Sequence, residues 1–265
     1  MLVWSSSGRG LIWAFLAFVV GLVYIAPLAI ILAASFAGQW NGVFPSLPTL
    51  SHYASALTGD SGAELRASVI TGMAASAFAL TVGTWSALAL RGLPLVPRRI
   101  LDLAFFIPSA VPSVSVGLGL LVAFSRPPLL LNGTVTIVII AHFILISAFT
   151  YGSVSAGLAR LSPDFEQVAE SLGARPLYRL WHVTLPMILP YLIAAFSLSF
   201  ALSMGELGAT VMVYPPGWST IPVGIFSLTD RGDVFEGAAM SIVLIIITLI
   251  VLILLSRIPT KVAPR

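Results

Sequence analysis

Cysteine is absent from the 265 residues, lysine occurs once, at Lys261, and only 9% of the chain is charged. The missing thiols exclude structural disulfides, thiolate metal sites and a cysteine nucleophile. A phosphate-binding P-loop needs a lysine directly after its last glycine. Here Lys261 follows Thr260, so the chain does not hydrolyse ATP by that route. The three histidines, His52, His142 and His182, stand far apart, and neither H-E-x-x-H nor G-x-S-x-G occurs. No catalytic residue, metal site or cofactor is therefore expected, and an enzyme reading has little support.

What the chain does contain is apolar. Hydrophobic residues make up 58% of it, and its mean hydropathy is +1.03, far outside the range of soluble domains. Uninterrupted apolar runs lie near Leu11 to Phe36, Ala67 to Leu90, Leu103 to Phe124, Thr134 to Gly157, Met187 to Met212, and Val234 to Ser256. Each is long enough to cross about 30 Å of hydrocarbon. The expected fold is all-α and polytopic, with six transmembrane helices in one domain over residues 1–265. The first run is too long for a secretory signal core and reads as a retained span, kinked at Pro27. Between it and the second run, Gln39 to Arg66 is polar and punctuated by Pro45, Pro48 and Gly59, as in a surface loop.

The small basic excess, 13 Lys and Arg against 10 Asp and Glu, is a topology signal and does not point to nucleic acid. With the N-terminus inside, the inner segments hold Arg9, Arg91, Arg98, Arg99, Arg160, Arg175, Arg179, Arg257, Lys261 and Arg265. The outer loops hold only Arg66, Arg126 and Arg231. Both termini of this multi-pass membrane protein are thus expected in the cytoplasm.

The longest inner loop, residues 158–186, carries SPDFEQVAESLGARPLYRLWHVTLP from Ser162 to Pro186. Ser162 can cap a helix, Pro163 suits its first turn, and Asp164 complements the positive end of the dipole. Phe165, Val168, Ala169 and Leu172 form one apolar stripe, with Glu166, Gln167 and Glu170 off it. Gly173 stops this helix. A second short one is expected from Pro176, presenting Leu177, Leu180 and Trp181 before Pro186 leads back into the membrane. Such a loop either packs on the membrane surface or docks a soluble partner. Its acidic residues balance Arg175 and Arg179, which favours docking.

Gln167-Val168-Ala169, then Gly173, then Val183-x-Leu185-Pro186 resembles the E-A-A, three residues, Gly, nine residues, Ile-x-Leu-Pro loop of ATP-binding cassette (ABC) importer permeases. Gln167 stands where the family has glutamate, with Glu166 just before it. The six-span layout and the loop's place between spans four and five extend the resemblance to essentially the whole chain. It implies the type I importer permease fold and a coupling loop seated in a groove of a separate ATPase subunit, with Glu166, Gln167, Ala169 and Gly173 as the motif and Leu185 and Pro186 as its exit. It also implies a second permease chain and a periplasmic substrate-binding protein as partners. Within the family, Trp40-Asn41-Gly42, the Ile107–Gly117 stretch, Ala141-His142-Phe143, Ser203–Thr210 and Tyr214–Trp218 are similar to permeases of 2-aminoethylphosphonate importers. Relatives for polyamines, ferric iron and inorganic oxyanions share parts of the pattern.

Several span residues are candidates for a translocation pathway. Pro108 and Pro112, with Ser109, Ser113 and Ser115, either line a wet path or form a tolerated kink. Glu206, near the outer end of span five, either meets the ammonium of a zwitterion or a gate, or rests in the headgroup region. His142 either meets a phosphonate when protonated or sits neutral and hydrogen-bonded between helices. Gly117 and Gly119 read as close-packing positions, and Trp218 as an interfacial anchor. A secondary transporter is the rival reading. It would show inverted repeats and intramembrane coupling carboxylates, of which Glu206 is the one candidate.

Overall fold

A computed structural model of the chain describes residues 6–259, so Lys261 and Arg265 of the expected topology signal lie outside the described residues. The described chain forms two compact units. One is built from the chain up to Gly62 with Gly224–Ile245, the other from Ala63–Val223 with the chain from Ile246.

In the first unit, α1 (Ser6–Val20), a π turn (Gly21–Ile25) and α2 (Ala26–Ser35) make one apolar helix from Gly8 to Ser35. Pro27 lacks an N–H to give to the ladder, and the wider π turn directly before it absorbs the mismatch. The polar stretch that follows is ordered. Strands β1 (Ala37–Gln39) and β2 (Ser46–Pro48) pair antiparallel with Ala37 opposite Pro48, and α3 (Ser51–Leu57) packs back on them. Tyr53 fixes this cap by a 2.6 Å hydrogen bond to Ser35 and a ring contact with Phe36, while His52 reaches the Ala37 carbonyl at 3.1 Å.

Helix α4 (Gly59–Arg91) begins earlier than its apolar run. Its buried face repeats small residues, Ser68, Gly72 and Ser76 along one row and Ala67, Thr71, Ala75, Ala79, Gly83 and Ala87 along the next. Small residues let backbones approach where lipid supplies no hydrophobic drive between helices. Gly83 lies against Thr150 and Tyr151 of α7 (Val135–Arg160), and Gly72 against Phe200 of α10 (Leu185–Met204). Helices α7 and α10 form the centre of the second unit, with Ile137, Val154, Ile188 and Phe200 fully buried.

The third apolar run is not one helix. Helices α5 (Leu95–Ala110) and α6 (Ser113–Ala123) meet at a bend of 100°. Pro112 has no N–H and forces Val111 into the extended region, so the ladder cannot cross. The fifth run is also broken: α10 ends at Met204 and α11 (Gly208–Val213) follows. Helices α12 (Ile221–Asp230) and α13 (Val234–Ser256) complete the fold. Among the described residues, five helices are long and apolar enough to cross a membrane, or six if the bent pair counts as one span.

Candidate functional site

The two helix breaks line one cavity. It holds about 190 Å³ and is bounded by Ser109 and Ser113 at the α5–α6 bend, His142 on α7, and Ser203 and Glu206 at the α10–α11 break. Glu206 Oε1 accepts the Ala209 N–H at 2.8 Å, closing the start of α11. Helix α11 sits hard against α6, because a Cβ on Gly117 would stand 2.7 Å from the Ala209 carbonyl oxygen and one on Gly208 would collide with Ser113. Gly119, by contrast, faces open space.

His142 is 2% exposed and bridges two elements, with Nδ1 2.6 Å from Ser203 Oγ and Nε2 2.8 Å from Thr210 Oγ1. Thr210 donates to the Glu206 carbonyl at 3.3 Å, which leaves its oxygen to accept from Nε2–H, while the Ser203 hydroxyl can serve Nδ1 as donor or acceptor. The imidazole is thus hydrogen-bonded between helices at a position that also borders the cavity.

On the loop, α8 (Pro163–Ser171) begins as expected, with the Ser162 hydroxyl accepting the Asp164 N–H at 3.4 Å. Gly173 has φ +81°, and the Gly173 and Ala174 N–H groups return to Glu170 and Ala169 at 2.8 and 3.0 Å, satisfying the helix end. Phe165, Val168 and Leu172 are exposed, as are Leu177 and Tyr178 of α9 (Pro176–Arg179). Between the two helices lies a groove of about 440 Å³ lined by Ala169, Leu172, Gly173, Ala174, Arg175 and Tyr178. Glu170 and Arg179 form an ion pair that ties α8 to α9.

Residues 79–265 match the family of binding-protein-dependent transport system inner membrane components. The chain belongs to this family. It is the permease subunit of an ABC importer in the inner membrane. PhnV of Salmonella typhimurium, provisionally named a 2-aminoethylphosphonate transport system permease protein, is 53% identical over 265 residues, the full length of both chains. The molybdenum transport permease ModB of Mycobacterium tuberculosis is 28% identical over 256 residues, covering 91% of this chain and 92% of its own. The permease fold also matches a crystal structure of a bacterial alginate ABC transporter, with a TM-score of 0.76 at 17% identity and 96% coverage of both chains. An inward-facing MetNI methionine transporter matches with a TM-score of 0.55 over 73% of this chain.

Of the residues singled out by sequence in this permease, Ser109, Ser113, His142 and Glu206 come together at the cavity, while Pro112 shapes the bend without lining it. Ser203 and Thr210 were missed as partners of His142. The only signal for them was their place on either side of the Gly205–Leu207 break. Leu185 and Pro186 do not end a loop: helix runs unbroken from Pro176 to Met204, because a π turn (Leu180–Thr184) precedes Pro186 and accommodates its missing N–H. The Trp218 indole donates to Thr71 at 3.1 Å, so its N–H is engaged by α4. Glu166, off the apolar stripe, turns to its own chain and accepts from Arg91 at 2.9 Å and Thr184 at 2.8 Å, whereas Gln167 is exposed.

Proposed function

We propose that this permease carries 2-aminoethylphosphonate inward across the cell membrane. The full-length 53% identity to PhnV is the observation that carries the substrate reading. The cavity chemistry supports it: the Glu206 carboxylate suits an ammonium, and the Ser113 hydroxyl can donate to a phosphonate. Glu206, Ser109, Ser113 and His142 line the translocation pathway within one permease domain, and Pro112 sets the bend that shapes it. The substrate is delivered by a periplasmic binding protein, and a second permease chain completes the channel.

The permease performs no chemistry of its own. ATP is hydrolysed on partner ATPase subunits, which dock on the exposed faces of α8 and α9 in loop 158–186. Closure of the ATPases moves the loops and shifts the permease pair from an inward-facing to an outward-facing packing, each nucleotide state favouring one of the two. Glu166, Gln167, Ala169 and Gly173 are the coupling residues, and Leu185 and Pro186 carry the motion into α10. Both termini lie in the cytoplasm, a reading supported by the clustering of arginines in alternate loops.

The test is uptake of labelled 2-aminoethylphosphonate by cells with and without this chain, with ATP depletion as control. Uptake that needs both supports the reading. Unchanged uptake rejects the substrate, and polyamines, ferric iron and oxyanions are then the next candidates.

A further inference from the structure

The Oε1 atom of Glu166 is shared by three elements. It accepts from Arg91 Nη1 at the last residue of α4 and from Thr184 Oγ1 one residue before α10, while the carboxylate itself belongs to α8. Arg91 and Glu166 are 29% and 27% exposed, so water competes with the pair less than at an open surface. On α8, Glu166 and Glu170 lie one turn apart and each engages an arginine of this chain, Arg91 and Arg179. The apolar side of α8, with Phe165, Val168 and Leu172, is left exposed. Gln167, where the family has its acidic residue, is exposed and neutral.

We propose that Arg91 is a positioning residue for coupling: it holds the Glu166 carboxylate so that displacement of α8 moves α4 and α10 together. This rests on the coupling reading above. A charge-assisted hydrogen bond from a guanidinium is directional, and with Thr184 on the same oxygen the junction resists both sliding and rotation of α8. Of the two adjacent candidates in the motif, Glu166 serves the permease's own spans and Gln167 faces outward.

The absence of cysteine permits a direct test in the assembled complex with ATPase and binding protein. Spin labels at Ala89→Cys on α4 and Ser171→Cys on α8, both exposed positions, report the α4–α8 separation. It should stay constant between nucleotide-free and ATP-trapped states, and change with nucleotide once Arg91→Ala is added. Substrate moved per ATP hydrolysed should fall about tenfold in Arg91→Ala, within the usual range of coupling between sites. Arg91→Lys should fall between. The exchange Arg91→Glu with Glu166→Arg should restore both readouts relative to Arg91→Glu alone, which an arginine acting apart from Glu166 would not allow. A separation that stays constant in Arg91→Ala, or an exchange no better than the single variant, overturns the proposal. If Arg91→Ala does not assemble, Thr184→Val, which keeps the shape and removes one hydrogen bond, must show the same nucleotide-dependent change, and a constant separation there overturns it equally. A Gly173→Asp complex that still transports would instead sink the coupling reading, while the labels continue to report the tether.

Discussion

At Glu206 one carboxylate has two tasks: Oε1 closes the first turn of α11 on the Ala209 N–H, and the side chain faces the cavity. Glu206→Gln separates them, because a glutamine oxygen still accepts from Ala209 while the charge is gone. Uptake should slow with copurification of the ATPase unchanged. Uptake at the original rate would remove Glu206 from the pathway. His142→Ala leaves the buried Ser203 hydroxyl without its partner, at a cost of about 1–3 kcal/mol, and removes the donor to Thr210, which keeps its bond to the Glu206 carbonyl. It should lower the melting temperature of the detergent-purified permease clearly, and an unchanged melting temperature would contradict the bridging role.

Among the elements, the decisive features are the two helix breaks and the pair α6 and α11 between them. Gly117 allows α11 to touch α6, and Gly117→Ala would drive a Cβ to 2.7 Å from a backbone oxygen. Overpacking of this kind costs about 1–3 kcal/mol, so the variant should unfold at lower temperature, whereas Gly119→Ala, with open space around it, should not. Spans were legible in the sequence because 20-residue apolar runs have few other uses, and α8 was legible because Ser162, Pro163 and Gly173 are local signals. The breaks were only half legible. Pro112 announces the first, but Gly205-Glu206-Leu207 carries no proline, and an apolar run hides a change of direction. The hairpin at Ala37–Pro48 was illegible because its strands are three residues long. Contacts such as His142 with Thr210, or Glu166 with Arg91, join residues 68 and 75 positions apart, a pairing that no local pattern encodes.

For the whole molecule, orientation follows from charge. Reporter fusions after Arg257 and after Arg91 should be active as cytoplasmic fusions, and a fusion near Asp60 as a periplasmic one. The reverse pattern would place loop 158–186 outside the cell, where no ATPase could reach it. The proposed coupling is that partner ATPases drive substrate through this chain by way of loop 158–186. Gly173 is its sharpest point, since a φ of +81° costs a residue with a side chain about 1–2 kcal/mol and the α8–α9 turn depends on it. The most direct measurement is ATP-dependent uptake of labelled 2-aminoethylphosphonate in cells carrying either the natural chain or Gly173→Asp, with both quantified in the membrane. Uptake by the first and none by the second, at equal membrane levels, is the expected result. Equal uptake by both would contradict it.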